Sequence, residues 1–147
     1  MVGFKFAATL LIAGLPLASA YIDKVANITG TFHATDDSKL PVTFINDITK
    51  VYYVDLTATF ALGRASQKGQ FIGLPLYNFD FTTLPANVIG NETFTIEVPL
   101  TKTNISVFGD EKSLALNVII SHADGSYPNL TFYDAIYRLP FTATIDN

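Results

Sequence analysis

Apolar and polar residues alternate over the last third of the chain, from residue 114 to residue 145. A period of two places one apolar row on one face of a β-strand, so this stretch predicts two long strands. Asp124-Gly125 lies between them and tolerates the positive φ values that a tight reversal needs. Pro140 interrupts the second strand, and a proline within a strand indicates a bulge or an edge position. We therefore expect a long hairpin with a break in its second strand.

The same alternation recurs upstream and indicates an all-β fold. Further strands are predicted over residues 25–34, 40–45, 50–62, 71–81 and 93–100. Turns are predicted at 36–38 and 46–47, a basic loop at 63–69 and a polar crossover at 101–112. Glycine and proline break the stretch 71–81, as is typical of an edge or bulged strand. The apolar residues Phe94, Ile96, Val98 and Leu100 should face one way. Short strands at turn spacings of about ten residues predict an immunoglobulin-like, two-sheet antiparallel sandwich of about seven strands.

Some residues on the outward side of these predicted strands are apolar. If the even-numbered residues from 52 to 62 face the core, then Val51 and Tyr53 face outward. Ile119 is likewise out of phase with the apolar row of its own strand. Exposed apolar side chains that cluster tend to mark contact surfaces, so these three residues are the predicted interaction surface. The alternative is that they pack under a loop or a neighbouring strand.

Residues 1–20 have the pattern of a secretory signal peptide. Lys5 is the only charged residue, and a nearly continuous apolar run ends in three small residues. Cleavage is predicted between Ala20 and Tyr21, which leaves a single domain over residues 21–147. Because only one lysine is lost, the formal charge would change from −4 to −5. The alternative is a buried N-terminal strand or helix.

Composition narrows the classes of function. The chain is 49% hydrophobic and contains 12 Phe and 7 Tyr, which is enough material for a core of one domain. Its net charge is −4 and its basic residues are scattered, so nucleic acid is not an expected partner. It has no cysteine, so the fold must hold without disulfides, and thiol chemistry and thiolate metal sites are excluded. No metal and no cofactor are expected.

Four N-glycosylation sequons follow the predicted signal peptide. By chance a chain of this composition would show about one, so four indicate passage through the secretory pathway and N-linked glycans. The alternative is that Asn, Ser and Thr simply populate turns. The acceptor residues are Asn27, Asn91, Asn104 and Asn129.

The residues offer little for catalysis. The chain has two histidines, His33 and His122, each predicted at the end of a strand. His122 with Asp124 could form half of a triad, but neighbouring Ser121 points to the opposite face of a strand and cannot easily exchange a proton with it. A strand-end histidine in a turn hydrogen bond is the favoured interpretation. The acidic pairs of the predicted loops lack the ligand spacing of a calcium loop. We therefore expect that the protein is not an enzyme.

The order and spacing of the motifs resemble the lumenal domain of the translocon-associated protein alpha subunit and its fungal relatives, the increased recombination centers proteins. The resemblance covers roughly residues 42–145. The motifs are LTATF at 56–60, YNF at 77–79, FTTLP at 81–85, ETFTIEVPL at 92–100, residues 116–120, ADG at 123–125, and FYDAIY at 132–137 leading into 141–145.

The resemblance implies a type I, single-span protein of the endoplasmic reticulum. Its glycosylated immunoglobulin-like domain would lie in the lumen and bind protein partners beside the translocation channel, without catalysis. The fungal branch has also been tied to genome integrity, by a route that no residue here explains. The membrane span expected in the family does not follow the last predicted strand, so the sequence is either a fragment or a soluble member.

Two alternatives to this function remain open. One is a secreted glycoprotein sandwich that binds a cell wall or a host surface. The other is a small secreted hydrolase, for which the sequence lacks a recognisable set of catalytic residues.

Overall fold

The computed structural model of the chain describes residues 19–49, 53–67, 73–85, 91–126 and 129–146. These residues form eight strands and two short helical segments. The strands are β1 (Ser19–Val25), β2 (Thr31–Ala34), β3 (Lys39–Thr49), β4 (Tyr53–Arg64), β5 (Leu74–Asp80), β6 (Thr93–Pro99), β7 (Ser113–Ser126) and β8 (Asn129–Ile145). A 3₁₀ turn spans Phe81–Thr83, and the helix α1 spans Lys102–Ser106 within the predicted crossover.

The strands form two sheets packed face to face. One sheet has the order β1-β3-β6 and the other β2-β8-β7-β4-β5. All neighbours pair antiparallel except β2 and β8, which are parallel. Immunoglobulin-like sandwiches oppose strands A, B and E to strands C, F and G. Here β1, β3 and β6 take the first set of positions and β4, β7 and β8 the second. The predicted fold class is confirmed.

Aromatic rings fill the middle of the core. Phe44 of β3 is fully buried and stacks on Phe94 of β6 with ring centroids 5.1 Å apart. It meets Phe60 and Phe81 edge to face, at 6.3 and 5.6 Å. These offset and edge-to-face geometries are favourable beyond the area that the rings bury. The predicted inward row of β6 is also confirmed, because Phe94, Ile96, Val98 and Leu100 are all buried.

A bulge in β4 changes which of its residues face the core. Asp55 pairs with His122 and Thr57 with Ser121, so Leu56 is an extra residue between two consecutive pairs. After the bulge the even-numbered residues are buried, as predicted, but before it Asp55 is buried while Val54 is only half-buried. The prediction of one continuous apolar row from residue 52 to residue 62 is therefore wrong at its start.

The predicted long hairpin exists, but Asp124-Gly125 is not its turn and its second strand is not broken. β7 and β8 pair without a register shift from Ser113↔Thr142 to Ser126↔Asn129. Asp124 and Gly125 lie inside β7, which continues to Ser126, and residues 127–128 lie outside the described residues. The strand does not break at Pro140, which pairs opposite Ala115. The alternative of an edge position is the correct one, because β7 is the only described neighbour of β8 at that point.

Several other boundaries also differ from the prediction. The predicted strand 25–34 is the end of β1 and the separate strand β2, which belong to different sheets. The predicted turn at 46–47 lies within β3, because the strand continues to Thr49. β5 is an edge strand, as predicted, and it carries a bulge at Leu76, between the pairs Phe60↔Tyr77 and Ala61↔Pro75.

Candidate functional site

The outer face of the larger sheet carries exposed apolar side chains along β8. Side chains alternate between the two faces of a strand, and the odd-numbered residues from 139 to 143 are buried against the other sheet. The even-numbered residues of β8 therefore face outward. Among them, Phe132 is 67% exposed, Ile136 is 64% exposed and Leu130 is 37% exposed.

Neighbouring strands extend this apolar surface. Ile136 lies opposite Ile119 of β7, and Phe132 lies in one row with Ala123 of β7 and Val54 of β4. Ile119 and Val54 are half-buried. We call this surface the outer patch, and its residues are Val54, Ile119, Leu130, Phe132 and Ile136.

The residues of the predicted interaction surface lie in different places. Ile119 belongs to the outer patch. Tyr53 does not, because the bulge in β4 puts it in phase with buried Asp55, and it is half-buried beside the rings of Tyr21 and His122. Val51 lies outside the described residues. The role of these residues in binding stays a prediction.

Among the described residues, no second strand covers the backbone edge of β8 along residues 130–138. The N–H of Ala143 bonds on the β7 side, whereas the N–H of Asp146 bonds to Ala34 on the β2 side. Because hydrogen-bonding directions alternate along a strand, the even-numbered residues of β8 point their N–H and C=O groups away from β7. β2 covers this edge only at residues 142–145, and no other described strand pairs with residues 130–138. These residues therefore offer a row of donors and acceptors to an added strand.

A buried histidine–aspartate pair lies on the inner side of the same sheet. His122 Nδ1 and Asp55 Oδ1 are 2.5 Å apart, and the two side chains are only 1% and 6% exposed. Asp55 Oδ2 accepts a hydrogen bond of 2.8 Å from the backbone N–H of Ile22 in β1. The pair thus connects β4 and β7 to a strand of the other sheet. The rings of Tyr53 and Tyr133 lie 5.1 and 5.2 Å from the imidazole of His122.

Two tyrosines near this pair, Tyr53 and Tyr137, have a raised pKa, which favours their neutral form. Burial raises the pKa of the Tyr53 phenol, and a hydrogen bond with Tyr133 raises it further. Burial, followed by the charge of Asp23, also raises the pKa of Tyr137. The hydroxyl of Tyr137 donates a 3.0 Å hydrogen bond to the backbone carbonyl of Asp23, which is a second polar link between the sheets.

The structure does not bring Ser121, His122 and Asp124 together as a catalytic triad. Ser121 lies on the outer face and donates a 2.6 Å hydrogen bond to Asp134, whereas His122 is inside and pairs with Asp55 rather than Asp124. The predicted role of His122 in a strand-end turn is therefore wrong, because the residue lies within β7 and is buried. His33 is exposed on β2, with its Nδ1 3.1 Å from Asp146. Within the part of the chain that the structure describes, no group of three potential metal ligands comes together.

The four sequons differ in their surroundings. Asn27, Asn91 and Asn129 are exposed. Asn104 is half-buried in α1, and its Oδ1 accepts hydrogen bonds of 2.9 Å from both the N–H and the hydroxyl of Thr101, the N-cap residue. A side chain used in this way is a poorer acceptor for a glycan than the three exposed ones. Glycosylation of at least two of the four sites stays a prediction.

The predicted cleavage site lies inside a strand. Ser19 and Ala20 are the first two residues of β1 and pair with Thr49 and Ile48. Cleavage after Ala20 would leave the strand from Tyr21 to Val25. The cleavage itself stays a prediction.

Two residues at the histidine–aspartate site, Asp55 and Tyr133, could not be found from the pattern alone. Asp55 is the only charged residue among apolar ones in the predicted strand 50–62 after Lys50, and a charge at such a place is a weak sign of a buried pair or a bulge. Tyr133 gives no comparable signal, because its role depends on the register of β8 against β7.

Comparison with known proteins does not assign a family. No protein-family model matches this chain, and no curated protein sequence matches it. In the described ranges no helix is long and apolar enough to cross a membrane.

Proposed function

We propose that this domain is a non-enzymatic interaction module of the endoplasmic reticulum lumen, accessory to protein translocation. Its partners would be membrane-embedded proteins beside the translocation channel, as the resemblance to the translocon-associated alpha subunit implies. The observation that carries the proposal is the outer patch, an apolar surface that lies beside a strand edge that no other described strand covers.

The outer patch has the properties of a contact surface. Phe132 and Ile136 are 67% and 64% exposed. A register shift of one residue would have turned both side chains towards the opposite sheet. A cluster of exposed apolar side chains with polar neighbours is typical of protein-binding surfaces. Asp134 and Arg138 flank Ile136 on the same face and supply the polar neighbours.

The free edge of β8 suggests how a partner would be held. An extended segment of the partner could add as a sixth strand, with main-chain hydrogen bonds to residues 130–138. The side chains of Phe132 and Ile136 would then select apolar residues of that segment. The proposed docking therefore combines a strand edge and a sheet face.

The burial of His122 and Asp55 supports a structural rather than a catalytic role for these two residues. His122 is 1% exposed and its Nδ1 is occupied by Asp55. A general base must reach the proton that it abstracts from a substrate, and this histidine has no open side towards solvent.

Site-specific crosslinking in microsomes or cells tests the proposal. Ile136→Asp and Phe132→Asp should leave the domain folded, because both side chains already face solvent, and should reduce crosslinks to channel-associated proteins. The loss of a central apolar contact weakens binding by roughly tenfold or more. Val107→Asp is a matched control, because Val107 is also 64% exposed but directly follows α1 and is not part of the outer patch.

Two results would count against the proposal. Equal crosslinking by the wild type, Ile136→Asp and Val107→Asp would exclude the outer patch as the contact surface. Recovery of the wild-type protein from the medium, with no crosslinks to the channel, would favour the secreted binding protein instead.

A further inference from the structure

A shallow hollow lies beside the sequon at Asn27, where the chain crosses from one sheet to the other. Residues 26–30 leave β1 and lead to β2, and the N–H of Ala26 holds the crossing to β3 with a 2.8 Å hydrogen bond to Thr43. The hollow has a volume of about 270 Å³. Its lining residues come from the crossing, β2 and β3, and they are Asn27, Ile28, Thr29, Thr31, Phe32, Leu40, Pro41 and Thr43.

We propose that this hollow is the binding site of the innermost sugar of a glycan attached to Asn27. The inference rests on glycosylation of Asn27 and goes beyond the proposed function, because it assigns the glycan a role in stability that needs no partner protein.

The lining of the hollow matches the chemistry of an N-acetylglucosamine ring. Ile28 and Phe32 are half-buried apolar residues, and Leu40 is 3% exposed. A pyranose ring presents a face of C–H groups, which packs well on apolar and aromatic side chains. Thr29 and Thr31 are exposed at the rim and offer hydroxyls to the sugar's own hydroxyl and acetamido groups.

The attachment point makes this occupant more favourable than a free ligand. Asn27 is exposed and itself lines the hollow, so the first sugar would be bonded to the wall of its own site. A tethered group binds at a high effective concentration and loses little further translational freedom. Weak contacts that could not hold a free sugar can therefore hold this one.

The other sequons do not have this geometry. Asn91 and Asn129 are exposed, but neither lines this hollow or the larger one of about 370 Å³ beside α1. Asn91 therefore provides a matched control, because it is exposed just before β6 and lines neither hollow.

Thermal unfolding of protein made in the secretory pathway tests the inference. Asn27→Gln and Thr29→Ala both abolish the sequon, and each should lower the melting temperature by about 3 °C, the shift expected from a contact of modest strength in a domain of this size. Asn91→Gln should leave it unchanged. Trimming every glycan to a single sugar should keep the full stability, because only the innermost sugar contacts the hollow.

Two further measurements separate the sugar from the side chains. In protein made in bacteria, which carries no glycan, Asn27→Gln should have no effect on the melting temperature. Ile28→Ala keeps the sequon but removes part of the wall, so it should abolish most of the difference between the glycosylated protein and Asn27→Gln.

Three outcomes would overturn the inference. They are an unmodified Asn27 in the mature protein, an equal loss of stability in Asn27→Gln made with and without glycans, and equal shifts for Asn27→Gln and Asn91→Gln. None of them depends on crosslinks to the channel, so failure here and failure of the proposed function can be told apart.

Discussion

Asp55 and His122 show how one polar pair can connect the two sheets of this sandwich. The carboxylate accepts one hydrogen bond from the imidazole and another from the backbone of β1, so both of its oxygens are used. A buried carboxylate is tolerated only when it is paired in this way. The pair therefore acts as a structural link whose loss would leave an uncompensated charge in the interior.

The first prediction follows from that burial. His122→Ala should lower the free energy of unfolding by about 3 kcal/mol, because Asp55 would remain buried without its partner. Urea denaturation measures the change. His33→Ala is the control, since His33 is exposed and a surface substitution usually changes stability by less than about 0.5 kcal/mol. Equal stability of the two variants would contradict the structural role of the pair.

The raised pKa of Tyr53, which lies beside this pair, predicts a loss of stability at alkaline pH. The pKa of Tyr53 is raised above its ordinary value of 10.0, so the folded protein keeps the proton that the unfolded chain releases. The stabilisation is fully present below pH 10 and is lost as the pH rises towards the folded-state pKa. Tyr53→Phe should therefore show a shallower fall in stability above that pH than the wild type.

Denaturation at a series of alkaline pH values tests this second prediction. Tyr77→Phe, a substitution at an exposed residue of the edge strand β5, is the matched control and should follow the wild type. If Tyr53→Phe also follows the wild type, burial of Tyr53 does not limit stability at high pH.

Among the elements, strands with a regular period could be predicted from the sequence and irregular ones could not. β6 alternates strictly, and its buried residues are the ones expected. β4 contains one extra residue at Leu56, and a period of two cannot reveal which residue will bulge. Because of this extra residue, Tyr53 faces inward together with Asp55, whereas the sequence predicted that Tyr53 faces outward.

A proline within a strand indicates either an edge position or a bulge, and Pro140 is at an edge position. It occupies an even-numbered position of β8, so the N–H that it lacks would have pointed to the free edge and not to β7. The strand therefore continues through it without losing a ladder hydrogen bond. The sequence could indicate an edge or a bulge. The structure decides for the edge, because β2 pairs with β8 only at residues 142–145 and does not reach Pro140.

Gly125 supplies a third prediction, at the scale of the β7–β8 hairpin. Its φ is +104°, and a Cβ at this position would lie 2.5 Å from the carbonyl oxygen of Asn129. Gly125→Ala should therefore destabilise the protein by about 1 to 3 kcal/mol more than Gly30→Ala. Gly30 also has a positive φ, of +80°, but a Cβ there meets nothing within 4 Å. Chemical denaturation compares the two, and equal losses would mean that the hairpin end relaxes around the new methyl group.

For the whole molecule, the sandwich could be predicted because strand spacing and alternation are properties of the chain. The outer patch could be predicted only in part. Ile119 was visible as an apolar residue out of phase, whereas Phe132 and Ile136 lie in a run of aromatic and β-branched residues with no clear inward side. Their exposure is decided by the register against β7, which is a long-range property.

The exposed sequons leave most of the outer patch uncovered. Asn27 lies in the crossing between β1 and β2, and Asn91 precedes β6 of the smaller sheet. Asn129 begins β8, next to Leu130 at one end of the patch. None of these three residues neighbours Ile136 in the sheet, so glycans attached to them would leave the centre of the patch accessible to a partner.

This distribution gives a fourth prediction, which concerns how many sites are occupied. We expect glycans at Asn27, Asn91 and Asn129 in protein made in the secretory pathway, and a lower occupancy at Asn104. The carbonyl oxygen of the Asn104 side chain caps the first turn of α1, where it accepts two hydrogen bonds from Thr101. Because that turn closes through local contacts, it can form early and withdraw the acceptor from the transferase.

Mass spectrometry of glycopeptides measures occupancy site by site. Thr101→Ala keeps the sequon and removes one of the two hydrogen bonds, so occupancy at Asn104 should rise in this variant. Full occupancy of Asn104 in the wild type would show that the cap forms only after the glycan is transferred.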